Sequence, residues 1–313
     1  MRVVRGLHNL PRDWRGCALT IGNFDGVHRG HQALIARARE HARRLGLPLT
    51  VMCFEPTPRE YFAPQTAPLR VSNLRTKLAD FADAGVDAVV IQRFAPPFCA
   101  LDGHAFIAEA LHERLQARAI VVGDDFSFGA RRSGDMALLR AEAPRYGYVV
   151  EAVDSVLADG LRCSSTALRE ALALPDFAQA AQILGRSYRI VGRVQRGLQL
   201  GRTLDMPTAN VNFRRQPVLR LGIYAVVARI DGSDREWPGV AALGVRPTLG
   251  LTRCLLETHF FDPPGDLYGK TVSVEFRRYQ RAEERFETLE ALQAQMHRDK
   301  ADAMAFLGVA PDN

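Results

Sequence analysis

His28 and His31 stand in the segment GNFDGVHRGH, Gly22 to His31, which leaves a short apolar run and enters a helix-like stretch. Gly22, Asn23, Asp25 and Gly26 suit a sharp turn around Phe24, and backbone N–H groups at the start of a helix form a ready anion site. The residues between the histidines are Arg29 and Gly30, so no obligatory bulk keeps the two imidazoles from one bound phosphate. Such a pair suits nucleotidyl transfer, where pentacovalent charge on an α-phosphate is stabilised by preorganised donors without a protein nucleophile. Eight His and 25 Gly in 313 residues predict about 0.02 H-x-G-H matches by chance. The plainer alternative is a turn with a surface histidine pair.

Four further segments carry suitable groups. In VVGDDFSFGARRSGD, Val121 to Asp135, Phe126 and Phe128 can stack on an aromatic ligand while Arg131 and Arg132 meet phosphate; an ordinary loop with two core phenylalanines is the alternative. CSSTALREAL puts Ser164, Ser165 and Thr166 at a helix start with Arg169 one turn inside, which is either a phosphate grip or a plain cap. In GRVQRGLQLGRTLDMPTANV, Gly192 to Val211, Gly192, Gly197 and Gly201 permit an arch over a ligand, and Pro207 stiffens the turn. Thr208 and Asn210 there offer hard neutral oxygens of the kind Mg²⁺ shares with phosphate and water; a glycine-rich hairpin is the alternative. In LLETHFF, Glu257 and His259 share one strand face, where a carboxylate acts as a general base or is merely solvated. Competing motifs fail: there is no G-x-G-x-x-G or H-E-x-x-H, and position 264 is proline where a Walker A loop ending at Gly269-Lys270-Thr271 needs glycine.

These residues need elements to hold them. Up to about residue 185, apolar runs at 18–21, 49–54, 88–91, 119–122 and 148–150 alternate with helical spacing near 30–45, 72–84, 103–116 and 134–146. That alternation predicts a parallel sheet with helices on both faces and ligands at the carboxyl ends of its strands. Short helices at 165–173 and 176–184 close this half. Beyond Gly185, strand-like runs at 188–194, 222–230, 237–243, 255–261 and 271–276 with Gly/Pro turns predict a small antiparallel β-barrel, followed by a helix at 286–306. The fold class is therefore α/β plus β, with domains at 1–185 and 186–313. The net charge of +6 and pI near 9.3 come with no block of like charges, so they single out no nucleic acid. No apolar run reaches the length of a membrane span, and no signal peptide opens the chain. Five scattered cysteines without C-x-x-C fit reduced thiols in the cytoplasm.

Together with FEPTPREYF, GVAALGVRPT and DLYGK, these segments resemble, in order and over nearly the whole chain, the bacterial bifunctional riboflavin kinase/FMN adenylyltransferase (FAD synthetase) family. The resemblance implies a Rossmann-like N-terminal nucleotidyltransferase domain making FAD from FMN and ATP, and a C-terminal kinase barrel making FMN from riboflavin and Mg-ATP. By matching motifs, His28 and His31 would be catalytic. Gly22, Asn23, Phe24, Asp25, Ser164, Ser165, Thr166 and Arg169 would bind the same ATP. Phe62, Asp125, Phe126 and Phe128 would fall at the flavin of the first domain. Gly192, Gly197, Gly201, Arg202 and Pro207 would hold the kinase ATP, Thr208 and Asn210 its Mg²⁺, and Glu257 would take the ribityl proton. Riboflavin, FMN, FAD and ATP are then the partners, with no nucleic acid and no membrane. An impaired kinase half, or a basic RNA-binding barrel, are the competing readings. Three departures from the family pattern stand out: Thr57 where His is usual, Asp205-Met206 for Gly-Phe, and Ala242 for Asn.

Overall fold

The computed structural model describes residues 1–196, 206–213, 215–233, 235–248, 251–262 and 265–310, with backbone alone at 246–248 and 251–253. The chain forms two compact units, Met1–Pro68 with Lys77–Ser164 and Leu69–Thr76 with Ser165–Asn313.

The first unit is built on six parallel strands: β1 (Arg2–Arg5), β2 (Cys17–Ile21), β3 (Leu49–Glu55), β4 (Ala88–Arg93), β5 (Ala117–Gly123) and β6 (Val149–Val153). Their order is β1-β4-β3-β2-β5-β6, so the chain reverses its direction of travel across the sheet between β2 and β5. Clefts at the carboxyl ends of strands open at such a switch point. Every residue of β2 is buried, as helices on both faces require. Helix α1 (Arg29–Leu45) lays Ile35, Ala38 and Ala42 on the sheet and ends at Gly46 in the left-handed conformation. Three more helices are α2 (Pro58–Phe62), α3 (Leu74–Asp83), whose first three residues group with the second unit, and α4 (Gly103–Ala105). α4 continues as a π-helical stretch over Phe106–Arg114, and α5 (Met136–Tyr146) starts on an Asp135 cap. The expected strands and helices are present. Strand β1 is additional, its signal reduced to Val3-Val4 between arginines. So is the hairpin β7 (Leu157–Ala158) and β8 (Leu161–Arg162).

In the second unit, α6 (Ser165–Ala173) and α7 (Phe177–Leu184) precede six antiparallel strands: β9 (Arg189–Arg193), β10 (Ala209–Phe213), β11 (Gly222–Ile230), β12 (Glu236–Thr248), β13 (Leu251–Phe260) and β14 (Thr271–Arg281). Their order is β10-β13-β12-β11-β14-β9, and a bridge between Gln195 and Asn210 joins the two edges into a barrel. Gly192 is required there: a Cβ on it would lie 2.1 Å from Val211 Cγ1. Strand β10 occupies the segment that the sequence assigns to an arch. Residues 69–76 finish the edge of β9. Tyr188 Oη donates to Val71 O at 2.8 Å, Asn73 Nδ2 to Val191 O at 3.1 Å, and Val191 N to Thr76 Oγ1 at 2.8 Å.

Helix α8 (Leu289–Leu307) packs Ala303 and Met304 on Ala225 and Val240. Its Asp299, 5% exposed, accepts from Arg281 Nε and Nη2 at 2.8 and 2.6 Å and from Gln295 Nε2 at 2.9 Å. Removing one partner of a buried pair leaves the other charge uncompensated. Asp299→Ala is expected to destabilise the second unit by about 3 kcal/mol, read as a lower urea midpoint with the slope unchanged.

Two candidate active sites

The first site forms where β2 ends. Gly22 N donates to Met52 O at 3.1 Å, and the chain then turns through Phe24 (φ 48°), Gly26 (φ 97°) and Val27 (φ 42°). Left-handed φ at a phenylalanine and a valine is costly and concentrates at functional sites. His28 caps α1, its carbonyl accepting from Gln32 N at 2.9 Å. The rings of His28 and His31 stack 3.7 Å apart at 23°. A Cβ at residue 30 would come within 3.2 Å of the His28 ring and of Cys163 O, so glycine lets the ring fold back over the helix. Phe24 is fully buried, 5.0 Å from His31 and 5.3 Å from Phe81; it gives the turn its backbone and the core its ring. Asp25 is buried in the same turn.

Burial first, then the charges of His28 and Lys77, hold His31 well below the usual imidazole range. It is therefore neutral at pH 7, as one member of a stacked pair must be. The unfolded chain takes up this proton near 6.5 and the folded one only lower, so the histidine costs stability as pH falls below 6.5. Lys77 Nζ donates to Asn23 O at 2.7 Å, and the carbonyl of Cys163, the residue before Ser164, lies beside Gly30. Ser165, Thr166 and Arg169 lie on α6 in the second unit, where Arg169 Nε donates to Leu69 O at 2.9 Å.

At the ends of β3, β4 and β5 the aromatic residues form one continuous run. Phe62 packs on Phe94 at 5.6 Å, Phe94 on Phe98 at 6.2 Å, Phe98 on Phe106 at 6.0 Å and Phe106 on Phe128 at 5.2 Å. Phe126 stacks on Phe128 at 5.5 Å, and Phe54 and Tyr61 flank Phe94. Phe62, 68% exposed, is the open end. The structure thus joins Phe62, Phe126 and Phe128 and adds Phe54, Phe94, Phe98 and Phe106, which sequence reasoning missed. The FAPPF that follows β4 was the available signal. Asp125 is exposed nearby in sequence, as are Arg131 and Arg132, both at left-handed φ.

The second site lies on paired strands of the barrel. Asn210 of β10 stands in register with Glu257 of β13, and Ala242 of β12 flanks Glu257 on the other side. Side chains in register share a face, and alternation adds Thr208 and His259 to it. His259 is buried; its Nδ1 donates to Pro207 O at 3.0 Å, and burial keeps it neutral. Asn210 is buried with Oδ1 making no hydrogen bond among the described residues, an orphaned hard oxygen that suits a divalent cation. Gly197, Gly201, Arg202 and Asp205 lie outside the described residues.

Comparison with known proteins decides between the open readings. The FAD synthetase family model matches residues 10–167, and the riboflavin kinase model matches residues 184–307. The chain belongs to the bifunctional riboflavin kinase/FMN adenylyltransferase family. A Pseudomonas fluorescens relative carrying that name is 47% identical over 306 residues, 97% of each chain. An Escherichia coli K12 relative, also so named, is 45% identical over 310 residues, 99% of each chain. A solved Streptococcus pneumoniae structure, called a macrolide-efflux protein, superposes with TM-score 0.73 at 25% identity, covering 96% of this chain and 97% of that one. Among the described residues here no helix is long and apolar enough to cross a membrane.

Two departures from the family pattern now have local explanations. Thr57 caps α2 in a reciprocal box, its N donating to Glu60 Oε2 at 2.9 Å and its Oγ1 accepting from Glu60 N at 3.4 Å. It thereby fixes the short helix that ends in Phe62. Met206 is buried against Ala225, Val240, Phe261 and Met304, joining the core beneath α8. Nothing in the structure explains Ala242 in place of asparagine.

Proposed function

We propose that the two halves of the family's chemistry fall to the two sites above, with domains at 1–185 and 186–313. In the first, a phosphate oxygen of FMN attacks the α-phosphorus of ATP, the bond to the β-phosphate oxygen breaks, and FAD and pyrophosphate leave. His28, His31 and the N–H groups of the Gly22–Asp25 turn hold the charge that develops on the α-phosphate. The stacked histidines at the switch point are the observation that carries this reading. The aromatic run ending at Phe62 takes the flavin ring. For Ser165, Thr166 and Arg169 the motif likeness alone supports a place on the nucleotide.

In the second site, the ribityl hydroxyl of riboflavin attacks the γ-phosphorus of ATP and ADP leaves. Glu257 accepts the hydroxyl proton. Thr208 and Asn210 are the residues that would hold Mg²⁺, which would supply neutralising charge for the ATP phosphates. The pairing of Asn210 with Glu257 supports a working kinase over an impaired one. Five scattered cysteines with no C-x-x-C spacing favour a reducing compartment, the cytoplasm.

With riboflavin, ATP and Mg²⁺, FMN should appear before FAD, and labelled FMN added midway should enter the FAD formed. FAD that stays unlabelled while labelled FMN is present in excess would contradict release between the two sites.

A further inference from the structure

His259 is 5% exposed on β13, two residues beyond Glu257 and on the same face of the strand. A carbonyl can only accept, so the 3.0 Å contact with Pro207 O places the ring's proton on Nδ1 and leaves Nε2 as a bare lone pair. Nε2 is buried and makes no hydrogen bond among the described residues. A buried acceptor without a donor costs at least as much as one hydrogen bond returns. The ring therefore adds little to the stability of the barrel; what it secures is the carbonyl of Pro207.

Proline has no N–H, so that carbonyl is the only hydrogen-bonding group by which residue 207 can be tied down. Thr208 follows directly and stands ahead of the ladder, whose first pair on β10 is Ala209 with Thr258. Upstream, Met206 is buried in the core beneath α8. Holding the Pro207 carbonyl fixes the planar Pro207–Thr208 peptide, and with it the direction in which the Thr208 side chain leaves the backbone. Asn210 Nδ2 donates to Thr208 O at 3.4 Å, which leaves the orphaned Oδ1 as the free end of that amide.

We propose that His259 is a positioning residue for riboflavin phosphorylation: through the Pro207 carbonyl, its Nδ1–H sets Thr208 and Asn210 for the divalent cation of the kinase site. The inference rests on the reading that these two residues hold that cation. Groups that orient metal ligands from behind typically carry about 10–100-fold in metal affinity or activity. One strand thus supplies both the base, Glu257, and the group that sets the metal ligands of the neighbouring strand.

The test compares His259→Asn with His259→Gln, both as full-length chains. An asparagine amide N–H lies where the imidazole carries Nδ1, whereas glutamine places its amide one bond further out, near Nε2. Mg-ADP is titrated calorimetrically, and the kinase class of sites is the one that Asn210→Ala removes. In that class His259→Asn should bind within about threefold of the parent, and His259→Gln should lose at least about 10-fold. For His259→Gln the half-saturating Mg²⁺ concentration in riboflavin phosphorylation should rise by the same factor, while kcat at saturating Mg²⁺ changes less than about threefold. Adenylylation of supplied FMN should be unchanged, and the two variants should melt within about 4 °C of each other. A glutamine variant that binds Mg-ADP as well as or better than the asparagine variant overturns the inference, because the Nδ1 donor then makes no difference. So does a wider gap in melting temperature, which traces the loss to packing. If Asn210→Ala binds Mg-ADP as the parent does, it is the placement of the cation that fails, and the inference with it.

Discussion

Replacing both His28 and His31 by alanine is expected to stop FAD formation while FMN continues to accumulate from riboflavin. The two rings stack at the head of α1, one held neutral by burial and by its neighbours. Loss of one preorganised donor commonly costs about 2.7–4 kcal/mol of transition-state stabilisation. Residues acting as a unit do not add, so the double change should cost roughly 10³-fold rather than the product of two losses. The comparison is steady-state FMN adenylylation against riboflavin phosphorylation in the same preparation. FAD synthesis surviving within a factor of a few would remove the pair from the mechanism.

Glu257→Gln is expected to lower riboflavin phosphorylation by about two orders of magnitude while FMN adenylylation stays near the parent rate. Phosphoryl transfer relies on positioning and charge, and a carboxylate that takes the attacking hydroxyl's proton contributes roughly 10²–10⁴-fold. Glutamine keeps the shape and hydrogen-bonding reach of the side chain but not its basic oxygen. Because Glu257 lies in register with Asn210 and Ala242, a neutral isostere should leave the barrel intact. An unimpaired kinase would exclude Glu257, whereas loss of both activities with a lowered melting temperature would mark it as structural.

Much of this organisation is legible in the residues themselves. Doubly buried strands betray a parallel sheet because both faces must be apolar, and β2 to β6 stand where their apolar runs lie. The histidine motif is equally plain, since turn, spacing and helix start are local features. What escapes the sequence is assembled across it. Residues 69–76 join the edge of β9 through side-chain-to-backbone hydrogen bonds that leave no periodic trace. The aromatic run draws on separate segments around Phe54, Phe62, Phe94, Phe106 and Phe128, each of which alone reads as ordinary core. Lys77 looks like a solvated helix residue until α3 places it beneath the turn. Strand β10 hides because its alternation begins directly after the glycine-rich stretch and Pro207.

The central claim is that two separable chemistries share one chain, and mixing two inactivated variants tests it most directly. Glu257→Gln alone should make almost no FAD from riboflavin for want of FMN, and His28→Ala/His31→Ala alone should stop at FMN. Mixed in equal amounts with riboflavin, ATP and Mg²⁺, they should make FAD, after a lag in which free FMN builds up. A mixture that accumulates FMN yet makes no FAD, although the Glu257→Gln protein adenylylates supplied FMN, would contradict the account.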